Sequence, residues 1–550
     1  MNRKIWKALG IAVCMLALAA PRAMAETNIH TVTADTDFAK VVKNINASGV
    51  DDENVIELWA DITLTVNHTL KRNTTIKSKG GDRKISIEGS NAGITVAGEK
   101  TVLNLGAKGY DKKLTIEGDG DANIQAAFVT VSEGATANMY EHVTLQNWQF
   151  AGNACVVIMG SESVFNMHGG VIEKCSRAVM ADSGTTFHML GGKILNCVSG
   201  NDGGGIFLYK ATFIMDGGII SGCEGLLGGG LYAEKSSTVN INNGTISGCT
   251  AGAGGGLYVV GSTLNIKGGT ISECFVSDTG KGGGLFADQS TLTISGGTIK
   301  GNKAAYGGGV ALRDSRVKEE EPITNWTVVD NKAYKTKTGT GYVGGGIYLE
   351  NGSMNASAGS NKIYNNTADG HGADICLDGS STIKLPNAAG MGAKYHDSGI
   401  KIDNWYNDNP RYTPSENGEV VGAGVELKGG LSLVASYKAS PVRIEIDANG
   451  GVGGSGSQTV QKGTNVTLEA PTKEGHLFKG WKDEKGNSYP AGEDGKVNIT
   501  VNEDMKLTAE WKKLPSAENL PKTGDESPVL LWGAALAVSA AACFMLRRRK

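Results

Sequence analysis

"GGGLYVVGSTLNIKGGTISEC", residues 254–274, holds two glycine clusters, a short apolar alternation between them and a terminal cysteine. Aligning the chain on this triple glycine gives a ladder that starts at Gly203, Gly228, Gly254, Gly282, Gly307 and Gly344. A period of this size is the mark of a solenoid, in which each repeat contacts only its neighbours. Between the glycines the pattern alternates with period two. One column reads Phe165, Phe187, Phe213, Val239, Leu264, Leu292; two residues on, another reads Met167, Met189, Met215, Ile241, Ile266, Ile294. The residues between them are mostly polar, which is the pattern of a half-buried strand. A third column reads Ile172, Ile194, Ile220, Ile246, Ile271, Ile299. Helical spacing is absent, and 80 glycines would be costly in helices.

The physical solution is an all-β fold, a right-handed parallel β-helix with about three strands per coil and glycine at the corners. The repeats resemble those of bacterial surface proteins, including polymorphic outer-membrane proteins. Here the GGG-Ile/Leu corner and Ile-x-x-Cys/Asn stand for that family's signatures, so the likeness is architectural. Residues 30–150 read as earlier, less regular coils, and "TDFAKVVKNI" before them as a short helix capping the first coil. The β-helix is expected to occupy 26–440.

The ends of the chain carry a different message. "MNRKIWK" is basic, "ALGIAVCMLALAA" is apolar, and "AMA" ends at Ala25, so residues 1–25 read as a secretory signal peptide. At the other end, Leu520, Pro521, Lys522, Thr523 and Gly524 precede an apolar run, 529–546, and "RRRK". That run is just long enough to span a bilayer as a transmembrane segment, with the cations holding its end inside. Residues 520–550 resemble the cell-wall sorting signal of Gram-positive surface proteins. The resemblance implies that a sortase cuts between Thr523 and Gly524 and joins Thr523 to peptidoglycan. The full chain carries a net charge of −3; the leader removes Arg3, Lys4, Lys7 and Arg22, and the tail a further net two cations, leaving about −9. That disfavours nucleic acid and anionic lipid as partners.

Residues 441–513 form a separate module. "DANGG", "KEGHLFKGW" and "MKLTAEW" resemble an internalin-type B repeat, a small β-grasp-like domain. Phe478, Trp481 and Trp511 read as its core, and its place before a short linker, 514–519, suits a spacer.

Cys175, Cys197, Cys223, Cys249 and Cys274 recur at the end of Ile-x-x-Cys, with Cys155 one step before; Asn302, Asn331 and Asn366 fill the slot later. Spacing for a metal is lacking. Secretion makes disulfides the default, but stacked strands place equivalent Cβ atoms about 4.8 Å apart, and a disulfide needs about 3.8 Å. The reading is a buried thiol column passing into an asparagine ladder. Cys376 takes an outward position and is expected to react readily.

For chemistry, β-helices do serve as polysaccharide lyases and glycoside hydrolases. The acids here form no column; the best catalytic candidates are Arg313, Asp314, Asp330 and Lys332, in a coil whose insertion reads more readily as a solvated loop. No nucleotide loop, cofactor motif or metal motif is present. A column just after each triple glycine is more suggestive: Phe207, Tyr232, Tyr258, Phe286 and Tyr348, interrupted by Ala311. If the flanking aliphatics point in, these rings point out, where aromatics can grip sugars or proteins; alternatively they stack on each other and stabilise the ladder. The sequence thus predicts a secreted, wall-attached adhesin with a host or bacterial glycan or surface protein as ligand. A wall-anchored polysaccharide-degrading enzyme is the alternative, and a structural spacer the third reading.

Overall fold

The structure, a computed structural model, describes residues 26–514 apart from 119–125, 150–153, 278, 336–341, 397–399, 409–418, 421–425, 437–440 and 462–463. The expected signal peptide, 1–25, the expected sorting motif, 520–524, and the apolar run 529–546 lie outside the described residues. Among the described residues no helix is long and apolar enough to cross a membrane. The contacts divide the chain into two compact units, Met1–Lys438 and Ala439–Lys550.

The first unit is a solenoid of parallel ladders. Two hold fifteen strands each and a third holds twelve. The columns seen in the sequence are true ladder partners. Phe165 pairs with Phe187, then Phe213, Val239, Leu264 and Leu292; the methionine and isoleucine column runs beside it in the same register. The third column, from Ile172 to Ile299, forms the third ladder. All three columns are buried and build one continuous core. Within it, Phe165, Phe187 and Phe213 stack at 5.3 and 5.2 Å between centroids. The irregular coils before residue 150 join the same ladders.

The first coil is closed by the helix Phe38–Asn46, whose apolar stripe of Phe38, Val41, Val42 and Ile45 is buried. Asp37 caps it by accepting from the Lys40 N–H at 3.2 Å. Solenoids need such a cover, because an open edge is a template for further strands.

The triple glycine has two separate causes. Gly228 takes φ +63°, where other residues are strained. A Cβ on Gly229 would lie 2.4 Å from the Thr250 carbonyl oxygen, and one on Gly230 2.6 Å from that of Gly256. The first glycine turns the chain; the next two let successive coils approach.

Two features go beyond the sequence reading. A fourth ladder of five two-residue strands, from Thr250–Ala251 to Thr367–Ala368, forms between the third ladder and the glycine corner. Beyond residue 384, where the period fades, the chain reverses. Ser432–Ser436 runs antiparallel to Ile375–Asp378, Glu426–Lys428 antiparallel to Thr382–Lys384, and Asn404–Asn407 pairs with Ser432–Ser436. These strands, with the buried Trp405, close the second end.

The second unit is a five-stranded mixed sheet with a two-stranded companion. Pro441–Asp447 and Met505–Lys513 run parallel at its centre, and their outer neighbours run antiparallel. Trp481 is fully buried, with Phe478 and Trp511 packed against that core. Phe478 meets the two indoles at 5.3 and 5.6 Å.

Candidate binding face

The middle residues after each triple glycine lie on the outer side of the second ladder, away from the main core. Tyr232 pairs with Phe207 and Tyr258, Tyr258 with Phe286, Ala311 with Phe286 and Tyr348, and Tyr348 with Cys376. Outward in the coil does not mean exposed, and here the expected solvent stripe is corrected. Tyr232 and Tyr258 are 7% exposed, Phe286 3% and Tyr348 4%; Phe207 is half-buried. The column is a second apolar cluster with Leu227, Ala253, Tyr306 and Val343 packed into it. These four residues sit immediately before their triple glycines. Tyr306, for example, packs its ring 5.5 Å from that of Tyr348 in the next coil. Ring faces in this position are occupied by protein.

The rings interact along the column. Phe207 and Tyr232 stack at 5.6 Å, Tyr232 meets Tyr258 edge-on at 5.4 Å, and Tyr258 stacks on Phe286 at 4.7 Å. Burial pushes the Tyr258 phenol up to about 12. Cations sit against the rings. Arg177, itself buried, lies 4.9 Å from the Phe207 centroid and donates to the Gly203 carbonyl at 3.1 Å. Burial brings its guanidinium down to about 10. Arg313 lies 5.3 Å from the Phe286 centroid, and Lys281, paired with Glu350, 5.6 Å from that of Tyr348.

The four catalytic candidates do not converge. Arg313 ends a strand of the second ladder and is held by Asp288 through two bonds, Nε to Oδ1 at 2.9 Å and the second nitrogen to Oδ2 at 2.5 Å. Lys332 is on the fourth ladder and pairs with Asp369 at 3.0 Å. Asp314 and Asp330 occupy turns with φ of 47° and 57°. Each cation has its own carboxylate, as structural pairs do. Among the described residues no three histidine, cysteine or acidic side chains come together as a metal site.

The cysteine slot belongs to the core. Cys155, Cys175, Cys197, Cys223, Cys249 and Cys274 are free and buried. Within the Ile-x-x-Cys slot the backbone N–H of Cys175 faces the sulfur of Cys197, that of Cys223 faces Cys249 and that of Cys249 faces Cys274, whereas the Cys155 N–H donates to the Arg177 carbonyl at 2.9 Å. In later coils the acceptor becomes an amide oxygen: Cys274 N donates to Asn302 Oδ1 at 2.9 Å and Asn302 N to Asn331 Oδ1 at 3.0 Å. Thiol and amide exchange in this slot because both accept the preceding coil's N–H. Burial, then the Cys155 thiol, push the Cys175 thiol well up.

Cys376 is corrected. It does point out of the coil, but it is 5% exposed, because the closing strand Ser432–Ser436 covers it, with Ser432 Oγ 3.8 Å from its sulfur. Burial pushes its thiol up to about 12. The seven cysteines among the described residues are therefore expected to resist a thiol reagent in native protein and to label after unfolding. Mass spectrometry of native-labelled protein showing rapid modification of Cys376 would contradict this burial.

The comparisons agree with the architecture. Residues 154–319 and 229–404 match the family model described as a right handed beta helix region. The solenoid is a right-handed β-helix. Residues 440–515 match the model of a divergent InlB B-repeat domain. No curated protein and no solved structure matches the chain. A β-helix followed by a B-repeat domain fits a surface or adhesin-like protein.

Proposed function

We propose that this protein is a secreted adhesin held covalently on a Gram-positive cell wall, with the β-helix as its displayed part. The observation that carries the reading is the order of segments: a leader, a rigid solenoid, a B-repeat spacer, and then Leu520-Pro521-Lys522-Thr523-Gly524 followed by an apolar run and four cations. A sortase would use Thr523 as the point of attachment to peptidoglycan. With the aromatic column covered, the surface offered to a glycan or protein is the outer side of the first and third ladders. There Thr186, Thr212, Thr238, Thr263 and Thr291 form one half-buried, uncharged column in register. That column offers hydroxyl groups rather than charge, which suits a neutral ligand better than a polyanion.

The anchoring is tested with Thr523→Ala in cells that carry a sortase. The wild-type chain is expected in the wall fraction, released by peptidoglycan hydrolase and resistant to detergent. The variant is expected in the membrane and the medium. A variant that stays wall-linked rules out the sorting motif as the attachment point.

A further inference from the structure

Each coil of the β-helix hands its edge to the next coil, and the last one has no successor. Within the stack, the N–H groups of Gly344, Gly345 and Gly346 donate to the carbonyls of His371, Gly372 and Ala373 at 3.2, 3.0 and 3.1 Å. The N and Nδ2 of Asn331 donate to Asn366 Oδ1, both at 2.9 Å. The final coil presents the same donors from Gly372, Ala373, Asp374 and Asn366. Two aspartates supply most of the missing acceptors. Asp408 takes the N–H of Gly372 on Oδ1 and that of Ala373 on Oδ2, both at 2.8 Å. Asp374 takes Asn366 N at 3.0 Å and Asn366 Nδ2 at 2.8 Å on Oδ1, and Ala435 N at 2.8 Å on Oδ2. The Leu433 carbonyl completes the set by accepting Asp374 N at 3.1 Å.

Asp374 stands in the third position of the glycine triplet. In the triple-glycine coils a side chain there would strike the next coil, as a Cβ on Gly346 would lie 2.6 Å from the Asp374 carbonyl. At the end of the stack that space is open, and the Asp374 carboxyl takes the place of the next asparagine. One of its oxygens serves the last coil, and the other holds the closing strand.

We infer that Asp374 and Asp408 form a proton-sensitive latch that fastens the closing strand Ser432–Ser436 to the last coil of the β-helix. Asp374 is fully buried, and burial lifts its carboxyl to about 7; the Ala435 and Asn366 donors pull it back and Asp408 pushes it further up. Burial also raises Asp408, against the donors of Ala373 and Gly372 and the charge of His371. The other titratable groups facing the pair are His371, bonded through Nδ1 to Ser432 Oγ at 2.6 Å, Cys376 and Tyr395. A carboxyl raised on folding stabilises in its protonated form. That contribution is complete below the unfolded value near 4 and is lost as pH rises through about 7. The latch is tight in mild acid and loosens above neutrality.

Hydrogen exchange on the full-length chain, corrected for the intrinsic rate at each pH, reads this directly. Protection of the Ser432–Ser436 amides is expected to fall at least tenfold between pH 5.5 and 8. While the carboxyl holds its proton only in the closed state, each step of one in pH weakens closure about tenfold. Protection of Thr238–Ile241, in mid-stack, is expected to stay level. Asp374→Asn and Asp408→Asn should each flatten the profile, and if the first does not fold the second decides. Equal protection of the closing strand at both pH values in the wild type, or an undiminished slope in a folded variant, overturns the latch.

Discussion

Replacing Tyr232 and Tyr258 together by alanine is expected to destabilise the middle of the β-helix by about 5 kcal/mol. Removing one well-buried aromatic side chain typically costs about 3–5 kcal/mol, and adjacent sites add incompletely. Both tyrosines are 7% exposed and belong to the cluster into which Leu227 and Ala253 pack. Each loses its ring partners as well, and an aromatic pair is worth about 0.5–1.5 kcal/mol beyond its area. Because a solenoid is stabilised coil by coil, the loss should appear first as local opening between Ile206 and Asp288, read by hydrogen exchange at Leu231–Glu234. Tyr232→Phe separates ring from hydroxyl. The hydroxyl makes one weak contact with Glu234, at 3.4 Å, so this change should cost under about 1 kcal/mol. A double alanine variant as stable as wild type would show that the rings are not core, and would return them to consideration as a binding surface.

The aromatic column shows where sequence reading stops. Period two fixes the side of the strand on which a residue lies, and the rings are on the outer side as that period requires. It does not tell what covers that side. The cover comes from segments whose own strands are two residues long, such as Thr250–Ala251 and Lys303–Ala304, too short to carry a period. The sequence does hold a signal for it. Leu227, Ala253, Tyr306 and Val343 stand just before four of the six triple glycines, a fourth apolar column broken by Asp202 and Lys281. The main core is legible because its three columns run through many coils with one register. The C-terminal closure is not, because antiparallel strands from Asn404 to Ser436 occur once and repeat nothing. Cys376 follows the same rule: period two gives its outward position, and the strand that buries it leaves no trace in the repeat.

The slot shared by cysteine and asparagine carries the sharpest energetic consequence. Asn331 is fully buried. Its Oδ1 accepts from Asn302 N at 3.0 Å and Asn302 Nδ2 at 2.9 Å. Its Nδ2 donates to the carbonyls of Ile299 and Val329 and to Asn366 Oδ1, at 3.0, 2.9 and 2.9 Å. Asn331→Leu fills the volume but takes away every one of these bonds. The Asn302 N–H then has no acceptor in a dry interior, and each such orphan costs about 1–3 kcal/mol. The variant is expected to lose about 4 kcal/mol, centred on the coils from Asn302 to Asn366. Asn331→Cys is the informative partner. Cysteine holds this slot in the coils from Cys175 to Cys274, and its sulfur faces the same N–H, so this change should cost about 1–2 kcal/mol, chiefly from lost amide bonds. Urea unfolding of the two variants beside wild type gives the comparison. If leucine is tolerated as well as cysteine, the slot is merely apolar, and the acceptor role argued for both residues is wrong.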